Sequence, residues 1–73
     1  MITNAPLWET MKKKKVTQYA LMEHHHVSRG TVQRLRKDMP MNTSTIDMLC
    51  KILDCKVEEV IQYIPDEEET AKP

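Results

Sequence analysis

Arg29, Gln33 and Arg34 are the side chains of this sequence best suited to chemistry at a fixed spacing. They lie on a segment running from Arg29 to Lys37, opened by a hydroxyl residue, Ser28, of the kind that caps helices. On a helix, positions four apart stand one turn above each other, so Arg29 and Gln33 share a face. Arg34 flanks that face, because five residues turn the direction by about 140°. Val32 and Leu35, with the stem of Arg36, point inward, while Lys37 joins the outward side. A guanidinium makes two parallel hydrogen bonds to the major-groove edge of guanine, and a carboxamide does the same for adenine. The segment is therefore shaped to read base edges.

The other reactive side chains do not assemble into a competing centre. His24, His25 and His26 are consecutive, and neighbours on a helix diverge by about 100°, too far to hold one ion together. Their expected roles are solvation for His24, packing for His25 and a turn for His26. Cys50 and Cys55 have four residues between them and no second ligand pair, and on a continuous helix they leave from different faces. They are expected to be reduced structural thiols. No serine or cysteine is paired with a base and an oxyanion-donating turn, so no catalytic residue, metal, cofactor or small-molecule ligand is expected. The six methionines are expected to fill the core.

At 73 residues the chain has room for one domain with a small core, which disfavours an enzyme cleft. Forty percent of the residues are apolar and thirty percent charged. No 18-residue apolar run is present for a membrane span, and Met1 to Pro6 lack the order of a secretion signal, so the expected location is cytoplasmic. The formal net charge of zero conceals segregation. Residues 1–37 carry eight Lys/Arg against Glu9 and Glu23, whereas residues 38–73 carry three lysines against nine carboxylates. A basic half of this kind points to a polyanionic partner.

The elements that must position these residues follow from the apolar spacing. Asn4 and Pro6 open a helix expected to reach about Lys15, with Leu7 and Met11 on one stripe beside Trp8 and Lys12 to Lys15 at its end. Thr17 caps a short helix that includes Leu21 and Met22, and Ser28 caps the next. Pro40 places a loop around Asp38 to Asn42. Thr43 is expected to cap a helix whose stripe is Ile46, Leu49, Cys50 and Leu53, and Val57, Val60, Ile61 and Ile64 repeat that stripe in a fifth, last helix stopped by Pro65. The fold class is all-α and compact over residues 1–65, followed by a flexible acidic tail over 66–73.

Two short capped helices meeting across His25-His26-Val27 form a helix-turn-helix, and with the flanking helices the sequence resembles the Xre/Cro-type, lambda-repressor-like family. It is similar in particular to short stand-alone regulators of Gram-positive bacteria and their phages. The resemblance runs from Pro6 to about Asp66. It rests on Leu7-Trp8, Val16-Thr17-Gln18, the run from Val27 to Val32, Leu35-Arg36-Lys37, the run from Thr43 to Cys55, and the stretch Val60 to Pro65. It departs from the family at His26, where a left-handed glycine is usual, and at Met22, where a small residue is usual.

The resemblance implies a five-helix domain with the helix-turn-helix formed by helices 2 and 3. It implies base reading by Arg29, Gly30, Thr31, Gln33 and Arg34. It implies phosphate contacts from Gln18, which also braces the recognition helix, with Thr17, Ser28, Thr43, Ser44 and Lys37, helped by Lys14 and Lys15 of the lysine run. Gly30, the one glycine, costs helix stability and is read as a point of close approach, by DNA or by the preceding helix. The expected function is a sequence-specific regulator of transcription, a repressor, bound as a homodimer to a palindromic operator in double-stranded DNA. The expected dimer contact is the last helix, through Val57, Val60, Ile61, Tyr63 and Ile64. The alternative is a protein-interaction module, antitoxin-like or antirepressor, that keeps the fold without reading DNA. The outward Arg29-Gln33-Arg34 face separates the two in favour of DNA.

Overall fold

The apolar stripes form four α-helices among the residues described by the computed structural model, 1–65. In chain order they are α1 (Ala5–Lys14), α2 (Gln18–Glu23), α3 (Arg29–Arg36) and α4 (Thr43–Leu53). Strand β1 (Ile2–Thr3) precedes α1, and a 3-10 turn (Val57–Glu59) and strand β2 (Gln62–Tyr63) follow α4. The expected tail, 66–73, lies outside the described residues.

Leu7 and Met11 of α1, Leu21 of α2, Val27, Val32 and Leu35 around α3, Leu49 and Leu53 of α4, and Val60 form one buried cluster. Trp8, Met22, Met48 and Ile52 are half-buried against it. The expected inward residues of α1, α3 and α4 are in the core, with Ile46 and Cys50 half-buried at its margin. The stem of Arg36 is not, because Arg36 is exposed.

The expected fifth helix is absent. Val57–Glu59 makes one 3-10 turn, closed by the Lys56 amide donating to Glu59 Oε1 at 3.0 Å. The chain then extends, and Gln62–Tyr63 pairs antiparallel with Ile2–Thr3, Ile2 opposite Tyr63 and Thr3 opposite Gln62. A helix this short, like the six-residue α2, is marginal by itself and forms only where tertiary packing favours it. An N-terminal strand within reach satisfies the backbone instead, and the β-branched residues favour the extended form. Val60 alone of the expected stripe is fully buried; Ile61 is half-buried, and Val57 and Ile64 are exposed.

Three buried polar residues tie these pieces together. Thr10 Oγ1 donates to the Glu59 carbonyl at 2.6 Å, fixing the 3-10 turn on α1. Thr3 Oγ1 donates to Asp38 Oδ2 at 2.6 Å, and the Asn4 amide donates to Asp38 Oδ1 at 2.8 Å. The Asn4 side chain does not cap α1: its Nδ2 donates to the Leu35 carbonyl at 2.9 Å, in the last turn of α3.

Candidate nucleic-acid interface

Helices α2 and α3 begin alike. Thr17 Oγ1 accepts from the Ala20 amide at 3.0 Å, and Ser28 Oγ accepts from the Thr31 amide at 3.1 Å, so each hydroxyl stands over its helix's free amides. Ser28 Oγ also donates to Thr31 Oγ1 at 2.8 Å. Between the helices His26 is left-handed, with φ 58°, as expected from its place in the turn. All three histidines are exposed, so the expected packing of His25 does not occur; Leu21 and Val27 fill the core at this corner.

Val32 and Leu35 anchor α3 inward, which leaves Arg29, Gly30, Gln33, Arg34, Arg36 and Lys37 exposed and Thr31 half-buried. Of the expected base-reading residues, then, Arg29, Gly30, Gln33 and Arg34 share one open surface, with Thr31 at its edge. None of Arg29, Arg34, Arg36 and Lys37 has a carboxylate partner among the described residues. A Cβ added at Gly30 meets nothing within 4 Å, so the preceding helix does not crowd this position.

The start of α4 approaches the same side. Thr31 and Arg34 share with Met41, Asn42 and Thr45 a cleft of about 170 Å³. The cap of α4 is Asn42, not the expected Thr43: its Oδ1 accepts from the Thr45 amide at 3.0 Å and from the Ser44 hydroxyl at 2.6 Å. Four consecutive residues, Asn42 to Thr45, are all of cap-forming type, and only the backbone turn selects among them. Thr43 and Ser44 are both exposed in the first turn of α4.

The lysine run divides. Lys14 Nζ donates to the Asp54 carbonyl at 3.4 Å, at the negative end of α4. Lys15 is left-handed, closes α1, and stands exposed two residues before the Thr17 cap. Gln18, the first residue of α2, is half-buried.

The residues that hold α3 from behind were not among those expected from the sequence. Asp38, left-handed at φ 55°, ends α3 and takes both hydrogen bonds from β1 and its junction with α1, while Asn4 reaches Leu35. The Thr3 hydroxyl first, then the Asn4 amide, hold the Asp38 carboxyl below its ordinary pKa. An aspartate directly after a basic helix was the available signal, since Asp tolerates the left-handed state. Its partners 35 and 34 positions away carried none.

No helix among the described residues is long and apolar enough to cross a membrane. No curated protein sequence matches this chain. Its structure is similar to the crystal structure, Form II, of the transcriptional regulator VanUg, with a TM-score of 0.78, 22% identity, and coverage of 89% of this chain and 87% of that one. The profile of the Cro/C1-type HTH DNA-binding domain matches residues 6–66, which take in the caps, the His26 turn and the open face of α3, and the chain belongs to that family.

Proposed function

We propose that the protein is a sequence-specific DNA-binding regulator of transcription that places α3 in the major groove. The observation that carries this reading is the surface of α3: exposed Arg29, Gln33 and Arg34, without carboxylate partners among the described residues, on a helix anchored through Val32 and Leu35. Guanidiniums without carboxylate partners have no ion pair to break on meeting guanine, and the planar fork loses less rotamer freedom per hydrogen bond formed than an ammonium does. The family to which the chain belongs and the likeness of its fold to that of the transcriptional regulator VanUg support the same reading. Arg29, Gly30, Thr31, Gln33 and Arg34 read base edges. Thr17, Gln18, Ser28, Lys15, Lys37, Thr43 and Ser44 hold phosphates, using side chains and the free amides at three helix starts. Lys14, held at the end of α4, adds long-range attraction.

One recognition helix supplies little affinity at physiological salt, so the protein acts as a homodimer on a palindromic operator, where occupancy represses transcription. Val57, Ile64, Ile2 and Met39, all exposed, supply apolar surface for self-association.

Selection of sites from a random double-stranded DNA pool tests the reading, with Arg29→Ala and Arg34→Ala beside the parent. The expected result is two inverted half-sites about one or more helical turns apart, each turn near 10 base pairs. Loss of a guanine-reading arginine costs about 1–3 kcal/mol on the selected site and relaxes one base position. Lys15→Ala instead weakens all sequences alike and lowers the salt slope by about one unit. If both arginine variants keep the parent's affinity and selected sequence, base reading by α3 is wrong.

A further inference from the structure

Helix α4 ends on Asp54, which is left-handed at φ 49° and ψ 57°. Beyond it the Cys55 amide donates to the Cys50 carbonyl at 3.1 Å. A hydrogen bond spanning five residues across a left-handed residue folds the chain back over its own last helical turn, an arrangement that commonly sets the side chains at the two ends of that bond against each other. The same closure joins Val16 to Met11 at the end of α1 and Met39 to Arg34 at the end of α3. At the end of α4 both partners are cysteines.

The divergence expected for residues five apart on a continuous helix therefore does not hold here, because the helix stops between them. Both thiols are free and half-buried against the core. Burial first, then the neighbouring Cys50 and Glu59, hold the Cys55 thiol above its ordinary pKa. The turn sits where three elements meet: Lys14 of α1 reaches the Asp54 carbonyl, and Thr10 of α1 holds Glu59 in the 3-10 turn that follows.

We propose that Cys50 and Cys55 form an oxidisable dithiol site, closed to an intramolecular disulfide by a small-molecule disulfide oxidant. One cysteine loses its proton, and its thiolate attacks a sulfur of the oxidant, such as oxidised glutathione. One glutathione thiolate leaves, and a mixed disulfide remains on the protein. The second cysteine, deprotonated in turn, attacks the protein sulfur of that mixed disulfide and expels the second glutathione thiolate. The protein gives up two protons and two electrons, and two molecules of reduced glutathione form. The high pKa of Cys55 keeps its thiolate scarce at neutral pH, so closure quickens as the pH rises. The site is separate from the face of α3 and stands whether or not that face reads DNA.

The test equilibrates the full chain in mixtures of oxidised and reduced glutathione, quenches with acid, alkylates the remaining thiols and reads the intact mass. The same titration in concentrated urea gives the reference without the turn. The expected product has lost two hydrogens and carries neither alkyl group nor glutathione. It reaches its midpoint at a glutathione ratio at least about tenfold less oxidising in the folded chain than in urea, because the turn raises the effective concentration of one thiol at the other. In Cys55→Ser a single glutathione adduct on Cys50 persists, with no second thiol to expel it. Equal midpoints in the folded and unfolded chain would overturn the proposal. So would folded parent protein that accumulates glutathione adducts or covalent dimers in place of the closed monomer.

Discussion

Lys15, His26, Asp38 and Asp54 are the non-glycine residues with left-handed backbone among the described residues, and each reverses the chain at the end of a helix. The sole glycine is elsewhere, at position 30, so these reversals are made with side chains in place. Left-handed backbone costs an ordinary residue about 1 kcal/mol or more, and less for Asp, whose short polar side chain can hydrogen-bond locally. His26 is exposed and has no side-chain hydrogen bond among the described residues to offset that cost. His26→Gly is expected to stabilise the fold by about 0.5–1 kcal/mol in thermal or urea unfolding, while a loss would reveal a contact made by the imidazole. Asp38 behaves oppositely, because its carboxylate accepts from Thr3 and Asn4 and its folded pKa lies below the ordinary value of 3.8. Its stabilising effect is complete above that ordinary value and fades as the pH falls through the lower folded one. Asp38→Asn should therefore flatten the acid limb of the stability profile, and an unchanged limb would show that other carboxylates govern it.

At the scale of elements, caps and anchors orient the helices more than intrinsic propensity does. Asn42 holds α4 through its side-chain oxygen, whereas Thr43 lies inside the helix, exposed, with no side-chain hydrogen bond among the described residues. Asn42→Ala should cost about 0.5–2 kcal/mol in urea unfolding and Thr43→Ala only a few tenths, the reverse of what the hydroxyl alone suggested. If Thr43→Ala weakens DNA binding with stability intact, its contribution is to phosphate. Helix α3 has a comparable division of labour. Its outward face is free because its inward face is held by Val32 and Leu35 and its far end by Asn4 and Asp38.

Across the whole molecule the charge is arranged as a basic half followed by an acidic one, and the four carboxylates from Asp66 to Glu69 follow directly after Pro65. Carboxylates tethered to a basic DNA-binding surface compete with phosphates over distances of about a Debye length, near 10 Å at 0.1 M salt. Truncation after Pro65 is expected to tighten non-specific DNA binding, more at low salt than at high salt, as measured by fluorescence anisotropy with a random duplex. Equal affinity at low salt would remove this competition from the account.

The helices α1 to α4, their inward stripes and the exposed face of α3 were legible in the sequence because each depends on residues within two or three turns of one another. Leu7 with Met11, Val32 with Leu35, and Leu49 with Leu53 repeat at helical spacing, and Thr17 and Ser28 cap their own helices. The left-handed His26 was equally local, a matter of one turn position. What only the tertiary structure decided are pairings between distant parts of the chain. Val57 to Ile64 carries an apolar stripe that suits a short helix, but Val57–Glu59 stops at one 3-10 turn and residues 2–3 draw Gln62–Tyr63 into a strand. Asn4 is suited to cap α1, yet its side chain was drawn to Leu35, 31 positions away. Cys50 and Cys55 diverge on paper and meet in the fold, because the chain reverses at Asp54. Short-range periodicity and capping are written residue by residue. Which backbone groups find distant partners is settled only when the core closes and leaves no water to satisfy them.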